Sequence, residues 1–300
     1  MNGKIFSIDP SSAEASERVS VFDRGYLYGD SLYEVVRTYH QKFYLLDDHL
    51  KRLKNSANLA RMTLPQGFED TLLHEIHRTH AAFLKVPKNA NQEAYLRVIV
   101  SRGVGKIGFS LKNLQSSPLF MILIQPLEQP SAQQFEQGMK VQISSRLRNH
   151  PRALDPAMKS GNYLNSVLAF LDAQEAGYDD ALLCNSEGFL TEGTTFNLFY
   201  VRRGILATPP LPIGILEGIT RAQVLRLADS LGIPFREVYF KPEQLLVADE
   251  VFLSSSIREV FPISQVGEKK IAQRGVGSVT RRLSEAYRLK ALQTSERMKS

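Results

Sequence analysis

The chain has 300 residues, of which 43% are hydrophobic and 23% are charged, and this length predicts two domains with their own cores. It contains no apolar run of membrane-spanning length, no signal peptide in the first ten residues, and one cysteine, Cys184, which can form no internal disulfide. These features exclude disordered, fibrous and membrane-spanning classes, and they predict a globular protein of a reducing, cytoplasmic compartment.

The net charge of +6 is carried by residues 257–300, which hold ten basic and four acidic residues. A basic tail can bind nucleic acid, but Leu283, Tyr287 and Leu292 recur there at roughly helical spacing. We therefore interpret the tail as a helix with a solvated, charged face, and we expect neither a nucleic-acid nor a membrane partner.

Residues 1–124 are predicted to form a small α/β domain. Apolar runs before and after His40–Gln41 indicate a β-hairpin of residues 32–39 and 42–46. Asp47 or Asp48 is then expected to be the N-cap of a helix that ends at Met62. The other elements of this domain are predicted at Glu69–Leu84 (a helix), Ala94–Ser101 and Leu119–Gln125 (strands).

Residues 125–134 contain two prolines and no periodicity, so they are predicted to link the first domain to a larger second domain, residues 135–300. Glu250–Ser254 is expected to be the last core strand. Strands outnumber helices here, which argues against a regular alternation of parallel strands and helices. The remaining strands are predicted at Lys140–Ser145, Asp180–Asn185 and Thr195–Val201. One helix is predicted to begin near Asn162, and another at Ile219–Leu231, where Gly232 and Pro234 end it.

Two motifs suggest a nucleotide or metal site but fit it poorly. Gly103–Gly108 matches the dinucleotide-binding pattern G-x-G-x-x-G, but few residues precede Pro118 for the crossover helix that such a site needs. His74, His77 and His80 recur every three residues, unlike the i, i+4 pair of zinc peptidases. We interpret the glycines as a loop between two strands and the histidines as polar residues of a helix, and we expect no metal site.

A third group of residues combines an amine, an isolated carboxylate and a predicted anion site. Lys159 lies on a proline-broken connection rather than on a solvated helix face, and Glu192 follows it. Gly218–Thr220 open a helix whose free N–H groups suit a phosphate, and Ser254–Ser256 add hydroxyls at a strand end. Pyridoxal 5′-phosphate needs such groups, because a lysine attaches it, a carboxylate holds its ring nitrogen and its phosphate is anchored.

The run from Glu192 to Arg221 resembles the signature of the class IV aminotransferases: an acid, an asparagine before apolar and aromatic residues, an apolar-x-Thr triplet, and an apolar-x-Gly-apolar-x-basic segment. The resemblance extends to Asp23–Asp30, to His49–Leu53 and to the Lys159 segment, and it covers about residues 20–265. It implies a fold type IV pyridoxal-phosphate enzyme of mixed α/β class. Such enzymes have a small N-terminal α/β domain, a larger C-terminal domain with a barrel-like sheet, and a homodimeric assembly.

By position, the resemblance implies a role for individual residues of this chain. Lys159 matches the Schiff-base lysine and is the predicted catalytic residue. Glu192 matches the acid on the pyridine nitrogen, and Tyr163 matches the tyrosine near the ring hydroxyl. The family's phosphate-binding positions correspond to Arg52, Gly218, Ile219, Thr220 and Ser256.

The resemblance also bears on the substrate. Tyr95 and Arg97 resemble the Tyr-x-Arg strand of L-branched-chain enzymes, and Tyr28 matches their pocket tyrosine. The Arg-x-His trap of D-amino acid enzymes is absent, because Ile107 and Phe109 stand at its positions. We therefore predict ping-pong transfer of an amino group from an L-branched-chain amino acid to a 2-keto acid such as 2-oxoglutarate. An aminodeoxychorismate lyase and a D-amino acid aminotransferase are the alternatives.

Two positions depart from the branched-chain pattern. Tyr33, in Tyr-Glu-Val-Val, resembles the D-enzymes and makes the side-chain pocket more polar. Arg258 stands in a turn where branched-chain enzymes have a small residue, and it could bind a second carboxylate or keep the turn exposed. The predicted substrate-binding residues are Tyr28, Tyr33, Tyr95, Arg97 and Ile257.

Overall fold

The computed structural model of the chain describes residues 19–271 and 275–297. These residues form two compact units: the first holds 19–128, 158–162 and 294–297, and the second holds 129–157 and 163–293. The chain passes between them within the predicted linker, 125–134. The predicted second domain, residues 135–300, and the second unit differ, because residues 158–162, which include Lys159, and residues 294–297 belong to the first unit. Residues 1–18, where no signal peptide is predicted, and Arg274 and Lys299 of the basic tail lie outside the described residues.

The first unit contains an antiparallel sheet of four strands in the order β2-β1-β3-β4. The predicted hairpin is confirmed, since His40 and Gln41 both have positive φ (48° and 60°), the conformation of a tight two-residue turn. The strands are β1 (Ser31–Tyr39), β2 (Lys42–Phe43), β3 (Ala94–Ser101) and β4 (Leu119–Pro126).

Two long helices cover this sheet and bury apolar side chains against it, in one continuous core. The prediction of an aspartate N-cap for the first of them is wrong: Leu45, with φ of 56°, is the N-cap residue, and no side chain caps the helix. Asp47 and Asp48 instead lie in its first turn, where their negative charges stabilise the positive end of the helix dipole. The helices of this unit are α1 (Arg24–Tyr28), α2 (Leu46–Leu59) and α3 (Phe68–Lys85).

The glycine-rich motif and the histidines occupy ordinary positions of this unit. Gly103–Gly108 follows β3 and leads to β4, its antiparallel neighbour, so the crossover of a dinucleotide-binding unit is excluded. On α3, His74 and His77 are exposed, whereas His80 is buried with its ring 4.7 Å from that of Phe43.

The second unit is built on a nine-stranded mixed sheet. Six of its strands close into a ring in the order β5-β6-β7-β8-β11-β12, because β12 also pairs with β5 and β7 pairs with β8. Closure leaves those strands without a free edge, and apolar side chains from all six strands belong to one buried core. The strands are β5 (Met139–Leu147), β6 (Asp180–Cys184), β7 (Leu190–Gly193), β8 (Asn197–Arg202), β9 (Ile205–Thr208), β10 (Phe235–Glu237), β11 (Glu250–Ser255), β12 (Glu259–Val266) and β13 (Lys269–Lys270).

The prediction that the strand at 250–254 is the last of the core is wrong. Strand β12 follows it, is almost wholly buried, and lies between β11 and β5. Pro262, which pairs with Phe252, lacks the N–H that a central strand normally donates, and this hid the strand from sequence reasoning.

The second unit also holds four helices and residues 278–293 of a fifth, the basic C-terminal helix. Its buried apolar side chains among the described residues are Leu283, Tyr287 and Ala291, so the predicted inward face is correct except that Ala291 replaces Leu292. No helix of the described residues is long and apolar enough to cross a membrane. The helices are α4 (Ala132–Gln137), α5 (Leu164–Glu175), α6 (Ile219–Ser230), α7 (Pro242–Leu246) and α8 (Ser278–Arg297).

Candidate active site

The first unit places Lys159 beside the start of β1. The N–H of Tyr33 donates to the Lys159 carbonyl (3.1 Å), and the N–H of Gly161 donates to the Ser31 carbonyl (2.8 Å). The Lys159 N–H donates to Ser56 Oγ on α2 (3.1 Å). The lysine segment thus continues the sheet along a stretch of β1 that β2 does not reach, and its backbone is held on both sides.

The Lys159 amine is gathered with two predicted substrate-binding residues. Its Nζ donates to the Tyr33 hydroxyl (2.8 Å) and lies 4.3 Å from the centre of the Tyr33 ring. The Arg97 guanidinium lies 4.4 Å from the same ring centre. Tyr95 is two residues before Arg97 on β3 and therefore projects from the same face. The Tyr28 hydroxyl accepts from the Gly108 N–H (2.9 Å), in the connection that follows β3.

Arg52 is engaged by a buried glutamate that sequence reasoning did not single out. Glu34 Oε1 accepts from Arg52 Nε (2.8 Å), and Oε2 accepts from Arg52 Nη2 (2.7 Å) and lies 2.7 Å from His49 Nδ1. Burial alone would raise the pKa of Glu34, but Arg52 and His49 outweigh it and lower that pKa to about 2. Burial lowers the pKa of His49, so neutral His49 donates to Glu34. The sequence did offer a signal for Glu34, because this charged residue lies within the apolar run of the predicted strand at 32–39.

In the second unit, Glu192 is buried on β7 and both its oxygens accept hydrogen bonds. Oε1 accepts from Arg148 Nε (3.0 Å) and Nη2 (2.9 Å), while Oε2 accepts from Asn197 Nδ2 and the Leu216 N–H, each at 3.2 Å. Arg148 was missed, because nothing near it in sequence announces a partner 44 residues away. Burial and then the charge of Glu192 raise the pKa of Tyr163, so its hydroxyl keeps its proton.

The predicted anion site is the N-terminus of α6. Gly218 is the N-cap residue and has no side chain with which to cap the helix. A Cβ at Gly218 would collide with Asn197 Oδ1, so only glycine lets the helix begin this close to β8. Thr220, in the first turn, is buried with its hydroxyl 3.4 Å from that of Tyr287 on α8. The site therefore offers helix N–H groups and a hydroxyl, which suit a phosphate.

The turn between β11 and β12 holds Ser256 and Ile257, both half-buried. The Arg258 N–H donates to Ser255 Oγ (3.1 Å), and the Arg258 side chain faces Asp180. Ser254, near the end of β11, has a buried hydroxyl with no hydrogen-bond partner among the described residues. The turn thus adds hydroxyl and backbone donors of the kind that an anion binds.

Each unit, taken by itself, holds groups of the kind that pyridoxal phosphate needs. The first unit supplies an amine on a fixed backbone and an arginine held by Glu34. The second supplies a buried carboxylate with oriented oxygens and, at the N-terminus of α6, helix N–H groups and the Thr220 hydroxyl. The carboxylate would hold the protonated ring nitrogen and the helix N-terminus the phosphate.

Comparison with known proteins agrees. The model of the amino-transferase class IV family matches residues 31–266. A Methanocaldococcus jannaschii protein, provisionally named a branched-chain-amino-acid aminotransferase, is 36% identical over 288 residues, 96% of this chain and 94% of that protein. The D-alanine aminotransferase of Bacillus licheniformis is 30% identical over 268 residues, 89% of this chain and 90% of that one.

Solved structures agree as well. The branched-chain aminotransferase of Thermoproteus uzoniensis with norvaline has a TM-score of 0.80 and 31% identity, with 95% of this chain and 93% of that chain covered. A branched-chain amino acid aminotransferase with pyridoxamine 5′-phosphate has a TM-score of 0.82 and 30% identity, with 93% and 91% covered. The six-stranded ring of the second unit is the barrel-like sheet that the resemblance implied. The chain therefore belongs to the class IV aminotransferases, the pyridoxal-phosphate enzymes of fold type IV.

Proposed function

We propose that this aminotransferase moves the amino group of an L-branched-chain amino acid to a 2-keto acid such as 2-oxoglutarate. The observation that carries the proposal is the group formed by Lys159, Tyr33 and Arg97, an amine and a guanidinium that both contact one aromatic ring. The guanidinium suits the substrate carboxylate, and the amine suits the α-carbon beside it.

When bound, pyridoxal phosphate supplies an aldehyde that condenses with amines and a protonated ring that stabilises negative charge at the substrate α-carbon. Lys159 would hold the cofactor covalently, and its amine would move the proton of the substrate α-carbon as a general base. Tyr33 orients the lysine amine through its hydroxyl. Glu192 keeps the ring nitrogen protonated, because its oxygens are fixed by Arg148, Asn197 and Leu216.

The preference for the L-hand rests on the glycine-rich loop. Ile107 and Phe109 are largely exposed apolar side chains there, 72% and 80% accessible, and neither can bind a carboxylate as an Arg-x-His pair does. Tyr33 argues against an L-enzyme from sequence, since the Tyr-Glu-Val-Val segment that contains it resembles that of the D-enzymes. The tyrosine hydroxyl is used by Lys159, however, so it need not mark a polar side-chain pocket.

We also propose that the protein is a cytoplasmic homodimer. Each unit exposes large apolar side chains, which mark association surfaces when they cluster. The first unit exposes Tyr26, Ile107 and Phe109, and α5 exposes Leu164, Val167 and Leu171 at helical spacing. Sedimentation equilibrium of the holoenzyme tests this assembly: a mass of twice 33.8 kDa is expected, and a monomer would contradict it. The location rests on the single buried cysteine, Cys184.

The proposed activity is tested by the visible absorption of protein reconstituted with pyridoxal phosphate. We expect a yellow holoenzyme whose band is bleached by L-leucine and restored by 2-oxoglutarate. Lys159→Ala should lose the covalent band and turnover, whereas Lys54→Ala, which removes a half-exposed surface lysine, should keep both.

The outcomes separate the alternatives. Bleaching by D-alanine alone would assign the protein to the D-amino acid enzymes. A yellow protein that reacts with neither amino acid would favour the lyase. Retained transamination in Lys159→Ala would refute the role of that lysine.

A further inference from the structure

Asp180 is a buried carboxylate that the proposed chemistry does not use. It is the first residue of β6 and is 1% exposed. Its Oδ1 accepts from the Thr194 hydroxyl (2.6 Å) and from the Ala181 N–H (2.8 Å), and its Oδ2 lies 3.4 Å from Arg258 Nη1. A buried carboxylate is stable only when such partners compensate its lost hydration, so these contacts are expected to persist in solution.

The two side chains bound to Asp180 come from two different parts of the candidate site. Thr194 lies two residues after Glu192, in the connection from β7 to β8. Arg258 directly follows Ser256 and Ile257 in the turn between β11 and β12. One carboxylate therefore touches both the connection that follows the predicted ring-binding acid and the turn that carries the predicted phosphate and substrate contacts.

The contacts differ in strength. The Thr194 hydroxyl is buried and at a short distance, so it fixes the connection after Glu192 firmly. The Arg258 guanidinium is about one-third exposed and bonds Asp180 through one nitrogen at a long distance. The backbone N–H of Arg258, which donates to Ser255 Oγ, adds a second restraint on the same turn. Removing the carboxylate would release both segments, whereas removing either partner would release one.

We propose that Asp180 is a positioning residue that aligns Glu192 through Thr194, and Ser256 and Ile257 through Arg258, for the bound cofactor. This inference rests on the proposed function, because it assumes that those residues contact pyridoxal phosphate and substrate. It also gives Arg258 a definite role, since the charge of its guanidinium holds the turn in place and is not reserved for a second substrate carboxylate.

The experiment compares Asp180→Asn, Thr194→Val and Arg258→Gln with the wild-type holoenzyme. Cofactor dissociation constants, the phosphorus NMR shift of bound pyridoxal phosphate, and the pH midpoint of its visible band are measured. The matched control is Asp172→Asn, because Asp172 forms an exposed pair with Arg146 in the same unit (2.6 Å). Melting temperatures of the apo forms report any loss of fold.

We expect Asp180→Asn to weaken cofactor binding about tenfold, as the loss of a charge-assisted hydrogen bond does. Thr194→Val should shift the pH midpoint of the band and leave the phosphorus signal unchanged. Arg258→Gln should move the phosphorus signal and raise KM while the band keeps its midpoint. The Asp180→Asn/Arg258→Gln double variant should bind cofactor no more weakly than Asp180→Asn, because both substitutions break one contact.

Three results would overturn the inference. Lower melting temperatures with unchanged cofactor binding and spectra would show a purely structural role. Additive losses in the double variant would show that Arg258 acts independently of Asp180. Equal effects of Asp172→Asn would show that any lost ion pair suffices. Should Asp180→Asn fail to fold, Thr194→Val and Arg258→Gln decide alone. A wild-type protein that binds no cofactor would refute the proposed function itself, which the same titration reveals.

Discussion

Each unit contains a buried glutamate that binds an arginine, Glu34 in the first and Glu192 in the second, and these two carboxylates have different surroundings. Glu34, in the first unit, is saturated by side chains: Arg52 grips both oxygens and His49 reaches one of them. Glu192, in the second unit, gives one oxygen to Arg148 and the other to neutral donors, an amide and a backbone N–H. Both oxygens of Glu34 thus bind the Arg52 guanidinium, whereas one oxygen of Glu192 contacts no cation among the described residues.

The difference indicates separate roles. A carboxylate whose two oxygens both bind one guanidinium holds that guanidinium in place and has little capacity for another charge. A carboxylate whose second oxygen meets only neutral dipoles can still stabilise a proton on a cationic ring. We therefore expect Glu34 to matter most for stability and for the orientation of Arg52, and Glu192 to matter most for chemistry.

Glu34→Gln should have the largest effect, a loss of about 3–5 kcal/mol in the free energy of unfolding, because it leaves the buried Arg52 without its counter-ion. Urea denaturation of the holoenzyme measures this loss. The control is Glu75→Gln, whose pair with Arg78 lies on the surface of α3, and it should change stability by at most about 0.5 kcal/mol. Equal losses of stability in the two variants would contradict the view that Glu34 and Arg52 form a buried ion pair that stabilises the fold.

Glu192→Gln should lower kcat/KM by about 10²–10³-fold, the usual effect of removing one oriented electrostatic partner. An amide cannot keep the ring nitrogen protonated, so the loss should appear in kcat and in the visible spectrum. Glu136→Gln removes an exposed glutamate paired with Arg281 in the same unit, and it should leave turnover unchanged. If Glu34→Gln lowered kcat more than Glu192→Gln, the division of roles between the two carboxylates would be wrong.

The ion pair between Glu34 and Arg52 should make the free energy of unfolding fall at acid pH. Its pKa is lowered from 4.5 to about 2 in the folded protein, so folding releases a proton in this range. The stabilisation is fully present above pH 4.5 and is lost as the pH falls towards 2, by about 3 kcal/mol in total. Unfolding curves of the wild type and Glu34→Gln at several pH values measure it. Parallel curves across this window would show that Glu34 does not titrate as described.

The smallest effect is expected at the anion site. Tyr287→Phe removes the hydroxyl that meets Thr220 at 3.4 Å and should weaken cofactor binding by about 1 kcal/mol, a net hydrogen bond. Equilibrium titration of the apoenzyme with pyridoxal phosphate measures the change. Tyr239→Phe, at a half-exposed tyrosine, is the control and should bind normally. A loss as large as that of Thr220→Ala would mean that Tyr287 does more than orient one hydroxyl.

Local signals predicted most of the elements. The hairpin at His40–Gln41, helices α3 and α6, and strands β3 and β4 were found from periodicity, turn residues and stop signals. Such signals depend on neighbours a few residues away. Strand β12 was missed because Pro262 contradicts a central strand locally, and only its pairing with β11 and β5 makes it one.

The candidate site divides in the same way. The signature residues Glu192 and Gly218–Thr220 were recognisable from sequence, since an acid and a glycine-opened helix are local features. Arg148, Glu34 and His49 were missed, because each gains its role from a partner that folding brings close. The Arg148–Glu192 pair spans 44 residues, and nothing within a few residues of either one indicates the other.

The sequence by itself determined the family, the cofactor chemistry and the helix N-terminus that suits a phosphate, because those follow from residue type at short spacing. Tertiary structure alone decided that the lysine segment pairs with β1, that six strands close into a ring, and that Asp180 touches two parts of the site. Lys159 and Tyr33 are 126 residues apart, and only the packing of the whole unit brings the amine to the ring.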